Sequence, residues 1–283
     1  MFTVLDRISL PGFTDYPNED ACGTAGDFAW IIDTSIFPGT PPVLHPQSDA
    51  AWFARFCDER FAALAFSVED GAALVRQVME EARAAFLAVA PPERHDPVTW
   101  PRGAMTLVRH DADHLQIWTF ADTTAYVRRP DGTVLTIGEA PHLREYEAAK
   151  ARELLDVSGR TPATITSAPA FRQWLAERRE RQARSGGAVI LSLRPEAVDG
   201  LRVDEVAAEP GTVLLLTSDG LSVLVDLYER FTAKTLLDAA LSEGLEPLAN
   251  EARRIETEVD PSGQLYPRFK TSDDATGLLL RVI

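Results

Sequence analysis

Residues Val213-Leu214-Leu215-Leu216 form an unbroken aliphatic run that closes on Thr217-Ser218-Asp219-Gly220-Leu221. Four branched aliphatics in a row predict a strand buried on both faces, bounded by Gly211 and Gly220. A carboxylate at the mouth of such a strand costs free energy unless a cation or hydrogen-bond donors meet it. On its own, Asp219-Gly220 reads as a turn.

Three other stretches repeat the pattern. Phe28-Ala29-Trp30-Ile31-Ile32 ends on Asp33-Thr34, and Leu115 to Phe120 ends on Ala121-Asp122-Thr123. In the reverse order, Asp273-Asp274-Ala275-Thr276 leads into Gly277 to Val282, and Asn18-Glu19-Asp20 precedes a further extended segment. If these strand ends converge they form a carboxylate cluster. Adjacent carboxylates do not all stay ionised without a cation, and an all-oxygen site suits a hard divalent ion such as Mg2+ or Mn2+.

In this order and spacing, the NED triplet, the strand-closing Asp33, the Asp122 hairpin, LLLTSDGL and the final DDAT resemble the metal-dependent PP2C-type (PPM) serine/threonine phosphatases. The resemblance runs from about Leu5 to Val282 and marks a divergent, bacterial-like member. SDGL and DDAT are its more specific pieces. It implies an α+β fold of the αββα type, two stacked antiparallel sheets flanked by helices. It also implies two Mn2+ or Mg2+ ions bridged by Asp33, one of them held further by Asp219 and Asp273. The other would use the backbone carbonyl of Thr34, with Glu19 and Asp20 nearby, partly through water. Asp122 would hold a weaker third ion. Asp33, Asp219 and Asp273 would carry catalysis, a metal-bridging hydroxide attacking a phosphoserine, a phosphothreonine or a smaller phosphoester. The alternative is a catalytically silent module of the same fold that binds a partner.

Three departures bear on that choice. The bridging Asp is followed by Thr34-Ser35 where the family usually has glycine, and Thr does not take positive φ cheaply. Many members carry a phosphate-gripping Arg three residues ahead of NED, and position 15 is Asp here; Arg7 is the nearest upstream substitute. The proton-donating His of some branches is missing. His45, His95, His110, His114 and His142 are scattered in loops or beside turns, and no triad is evident among them and the cysteines.

Composition narrows the partners. Twenty-eight basic against 43 acidic residues give a net charge of -15, which argues against a nucleic-acid or anionic-membrane binder. Cys22 and Cys57 form no paired spacing, so neither a disulfide scaffold nor a zinc site is expected and a cytoplasmic setting is the default. No apolar run approaches the length needed to span a bilayer, and the N-terminus opens no signal segment.

Along the chain, strands are expected over Phe2–Leu10, Ala21–Ala25 and Asp27–Ile32, then an irregular Pro- and Gly-rich loop from Ile36 to Pro46. Two helices follow, capped by Ser48 or Asp49 and by Ser67, with Trp52, Phe53, Phe56, Phe61, Leu64 and Phe66 as a core stripe. An antiparallel meander occupies 103 to 137. Helices are expected over Leu143–Leu155 and Pro169–Ala183. The second carries Arg172, Arg178, Arg179, Arg181 and Arg184; such a run is ordinarily a solvated face, and here it is also a candidate receiver of an anionic substrate. Strands over Ala188–Leu193 and Leu201–Val206 precede the central strand, and helices over Val223–Tyr228, Ala233–Glu243 and Leu248–Glu258 precede the last one. Without a low-complexity linker or repeat, residues 1–283 read as one α+β domain.

Overall fold

The computed structural model describes residues 1–138, 141–184 and 189–283, with the side chains at 141, 142 and 184 outside the described set. The expected position of His142, the side chain of Arg184 and the strand start at Ala188 therefore fall outside it.

Two antiparallel sheets form the centre. The first has the order β1 (Phe2–Leu10), β11 (Ala275–Val282), β10 (Val213–Thr217), β6 (Thr124–Arg128), β7 (Val134–Ile137). The second has the order β2 (Asp20–Ala25), β3 (Phe28–Ser35), β4 (Arg102–Asp111), β5 (His114–Phe120), β9 (Arg202–Ala207), and the short β8 (Leu191–Ser192) pairs with β4.

Strand alternation stacks these sheets and covers their outer faces. On β3, Ala29 and Ile31 point between the sheets against Leu214, Leu216, Leu278 and Leu280. Phe28, Trp30 and Ile32 point outward, onto Phe53 and Phe61 of α1 (Asp49–Leu64) and Val78 and Phe86 of α2 (Gly71–Leu87). On the opposite side, Val213, Leu215 and Leu279 pack against α5 (Asp219–Asp226), α6 (Ala233–Glu243) and α7 (Glu246–Arg254) through Leu221, Leu224, Leu237 and Leu248. The central aliphatic run is thus covered on both faces, as its composition requires. The result is an α+β fold with αββα layering. A smaller cluster of Leu154, Phe171 and Trp174 ties α3 (Pro141–Ser158) to α4 (Pro169–Arg184). Among the described residues no helix is long and apolar enough to cross a membrane.

Phe66, expected in the core stripe, is exposed instead, because α1 ends at Leu64 and leaves it in the exit turn. Several expected boundaries shift. Ser48 caps α1, accepting from the backbone N–H of Ala50 and Ala51. Asp70, not Ser67, caps α2 by accepting from Ala73 N at 2.7 Å. Ser67 still lies in the exit turn of α1, where its hydroxyl donates to the Leu64 carbonyl. Asp219 begins α5 rather than a turn, and α7 runs on into a π-helical turn over Ile255–Val259. The irregular 36–46 loop is held by Asp49, which accepts from Val43 and Leu44 N at 2.8 Å and pairs with Arg94 at 3.0 Å.

Candidate metal centre

Strand register brings the carboxylates together. β2 begins and β3 ends at the same edge, and Asp20 is the direct cross-strand partner of Asp33. At that edge β5 ends before Asp122, β10 ends before Asp219 and β11 starts after Asp274. Parity does the rest. Asp20 shares a strand face with Cys22, and Asp33 shares one with Ile31, so both carboxylates lie at the rim of the inter-sheet core.

Glu19, Asp33, Asp122, Asp219, Asp273 and Asp274 line one cavity of about 610 Å³. Burial pushes Asp33 well above the ordinary carboxylate range, and the charges of Asp219, Asp20, Asp273 and Asp122 add to it. Asp20 rises well above it too, from burial first and then from Asp274, Asp219 and Asp273. One Asp20 oxygen, Oδ2, is buried without a hydrogen-bond partner.

Backbone shape serves this crowding. A Cβ built on Gly103 would come within 2.0 Å of the Asp33 carbonyl oxygen, and one on Gly220 within 2.0 Å of the Asp274 carbonyl oxygen. Only glycine lets these chain segments approach so closely. Thr34 raises no conflict, because it is extended within β3 and not among the residues with positive φ. Its buried hydroxyl bonds the carbonyls of Glu19 (2.6 Å) and Ala50 (2.9 Å). The left-handed residue is Ala121, with φ 56°, immediately before Asp122.

The remaining expected site residues are placed as follows. Glu19 is buried, its carboxylate bonded by the Ser48 hydroxyl. Asp274 accepts from Gly12 N at 2.7 Å and Glu19 N at 2.6 Å, fixing the loop that carries NED. Arg7 does not line the cavity. It is exposed on β1 and its field falls on Cys22 and Asp58.

Two cations at the site, Arg144 and Lys270, were missed in the sequence. Arg144 of α3 reaches Asp219 (3.3 Å), Asp226 (3.6 Å) and Asp122 (3.9 Å). Burial works against its charge, but Asp219, Asp122 and Asp226 outweigh it and raise its pKa. Lys270 donates to Asp273 at 2.6 Å. Burial alone would lower its pKa, but Asp273, Glu19 and Asp219 raise it well above the usual lysine value. Nothing in the local sequence separates Arg144 from the other charges of a solvated helix, whereas Lys270, three residues ahead of Asp273, was within reach of inspection. The basic run on α4 splits. Arg172 lies over the Phe37 ring and donates to the Pro38 carbonyl, Arg178 pairs with Glu147 at 2.6 Å, and Arg179 is buried.

The donor set fits a hard divalent cation. All its ligand atoms are oxygens, two like charges face each other across a β ladder, and one buried oxygen is orphaned. As the side chains stand, no group of three or more His, Cys, Asp or Glu among the described residues is gathered tightly enough to enclose an ion.

Fold comparison agrees with this architecture. Over 100% of the chain and 98% of theirs, two solved structures superpose: the catalytic domain of the serine/threonine protein phosphatase PstP with two manganese ions (16% identity, TM-score 0.54) and PstP/Ppp of Mycobacterium tuberculosis (17%, 0.57). The PPM Ser-Thr phosphatase MsPP of Mycobacterium smegmatis, in complex with cacodylate, matches with 18% identity and a TM-score of 0.52, covering 99% of this chain and 100% of its own. No family profile matches the chain, and no curated protein matches it. The fold is that of the PP2C-type phosphatases.

Proposed function

We propose that the chain is a divalent-metal-dependent phosphatase that hydrolyses phosphoserine, phosphothreonine or a smaller phosphoester. The observation that carries this reading is the facing pair Asp20 and Asp33, with Asp20 Oδ2 unpartnered and Asp219 and Asp273 close enough to raise the proton affinity of both. Asp33, Asp219 and Asp273 would hold one ion. Asp33, the Thr34 carbonyl and the Glu19 and Asp20 carboxylates would serve the other, and Asp122 is the candidate for a third. Mn2+ or Mg2+ bound there supplies acidified water and neutralises charge on the phosphoryl oxygens.

The chain's own groups do the positioning. Asp274 anchors the backbone of Gly12 and Glu19, so the NED loop stays against β11. Ser48 and the buried Thr34 hold Glu19 through its carboxylate and its carbonyl. Lys270 offsets part of the negative charge at Asp273. The side chains of Phe13, Tyr16 and Trp174 line the same cavity and give its wall an aromatic face.

One observation favours a catalytically silent, partner-binding chain: Arg144 already lends a positive charge to Asp122 and Asp219. Hydrolysis of a phosphothreonine peptide and an aryl phosphate separates the readings, run with Mn2+, Mg2+ or EDTA. The phosphatase reading requires metal-dependent turnover that is lost in Asp33→Asn and Asp219→Asn. Calorimetric metal binding without turnover selects the silent module.

A further inference from the structure

We infer that Arg179, supported by Arg102, receives the anionic phosphoryl group of the substrate beside the carboxylate centre. The identity of the substrate rests on the phosphatase reading; the anion site rests on separate geometry.

Arg179 and Arg102 are 2% and 6% exposed. A guanidinium stays charged at neutral pH, and burying it is costly without a counter-charge. Neither has one within ion-pair distance among the described residues. Arg179 donates to the Trp100 carbonyl at 3.3 Å and the Ser35 hydroxyl at 3.4 Å, both long bonds to neutral atoms. Arg102 donates to the carbonyls of Pro97, Val98 and Arg179 and to the Gln182 side-chain oxygen, and its Nε is buried without a partner. Burial, reinforced by neighbouring arginines, pushes Arg179 down to about 9 and Arg102 down to about 10. Glu19 acts on Arg179 at a distance, but its carboxylate is bonded by Ser48.

Both arginines line the cavity that holds Asp33 and Asp219. Ser35, which Arg179 touches, lies two residues beyond Asp33 on the same face of β3. At roughly 3.3 Å per residue the two side chains are separated by about 7 Å along the strand. Arg179, bonded to Ser35, is thus held within reach of a phosphoryl group seated at the carboxylate centre.

Charge gives the same assignment. A chain of net charge -15 repels an anionic substrate at long range, so it needs positive charge where the substrate docks. Of the cations on the cavity wall, Arg178 is committed to Glu147 and Lys270 to Asp273. Arg102 is pinned by carbonyls. Arg179 keeps donors to spare, and its planar fork matches two phosphate oxygens.

The test compares Arg179→Met and Arg179→Lys with wild type, using Arg55→Ala, on the exposed face of α1, as the control. Phosphothreonine-peptide hydrolysis in Mn2+ gives KM, kcat and the inhibition constant of inorganic phosphate. Calorimetry gives phosphate affinity with Mn2+ and with EDTA. Arg179→Met is expected to raise KM and the phosphate inhibition constant about tenfold or more, with kcat less affected and calorimetric affinity falling in parallel. Arg179→Lys should recover part of the loss. Unchanged KM and phosphate affinity in Arg179→Met, with turnover still abolished by Asp33→Asn, overturn the inference and leave the phosphatase reading standing. If the wild type turns over no phosphoester, that reading falls and calorimetry alone decides: phosphate affinity lost in Arg179→Met sustains the anion site, and equal affinity overturns it. Should Arg179→Met fail to fold, Arg179→Lys decides by the same comparison, weakened against unchanged phosphate affinity.

Discussion

Arg94 and Arg179 are equally deep, at 4% and 2% exposed, and their surroundings are opposite. Arg94 brings its counter-charge with it. It pairs with Asp49 at 3.0 Å, donates to the Thr99 carbonyl at 3.2 Å and also bonds the Pro41 carbonyl, so the Pro-rich loop is clamped to the start of α1. Among the described residues, the Arg179 side chain hydrogen-bonds only a carbonyl and a hydroxyl, both at long range. Asp49 neutralises Arg94 within the fold, whereas on the inference above the counter-charge of Arg179 comes from the ligand. The carboxylates opposite Arg179 are the negative image of the same arrangement.

The contrast can be broken by substitution. The largest effect on activity belongs to Asp33→Asn, which should lower phosphoester turnover on the order of 1,000-fold. In EDTA it should also stabilise the protein by up to about 1 kcal/mol, because Asn removes the charge that burial and the neighbouring carboxylates disfavour at Asp33; denaturant unfolding of the metal-free variant checks this. The largest effect on stability belongs to Arg94→Ala. Removing one partner of a buried pair costs roughly 3–5 kcal/mol, read from the urea midpoint. A loss below about 1 kcal/mol would mean the loop is held by something else. Arg179→Met, by contrast, should leave the unfolding midpoint within about 1 kcal/mol of wild type, since no counter-charge is stranded. A loss as large as that of Arg94→Ala would erase the distinction.

Metal removal sharpens the other half. Mn2+ at 100 times its dissociation constant should raise the stability of wild type by about 2.7 kcal/mol per independent site, and much less in Asp33→Asn. Thermal denaturation at several Mn2+ concentrations measures this. The smallest effect belongs to Ala121→Gly. Relief of the left-handed alanine should raise stability by roughly 0.5–1 kcal/mol after the added entropy of the unfolded chain is subtracted. A loss instead would mean that the Ala121 methyl packs favourably.

The legible parts of the sequence were those with a local cause. Val213 to Leu216 announced a doubly covered strand, and the carboxylates stood out because each closes an apolar segment. The basic run of α4 was visible, but which of its charges faces the cavity was not legible. Arg179 and Arg181 lie in one basic run, yet two helical steps place them on different faces, and only packing against Trp100 and Ser35 buries the first. Arg144 is equally anonymous, since its meaning comes from Asp122 and Asp219 on other elements. Asp219 read as a turn because the helix it begins has few residues before Leu227. Ser67 read as a cap because the pattern Ser-x-x-Asp does not reveal that the preceding helix has not yet released the chain.

Gly103 and Gly220 carry no functional group, yet they set how far the chain can drift. A ligand position tolerates an Asp→Asn change without altering shape, so chemistry can be lost one atom at a time while the scaffold survives. A single methyl at Gly103 or Gly220 would instead drive into the carbonyl of Asp33 or Asp274 and wedge apart the strands that bear the site. On the proposed function, descendants of this chain can abandon catalysis and remain folded, but they cannot easily enlarge these two residues and keep the cleft in shape.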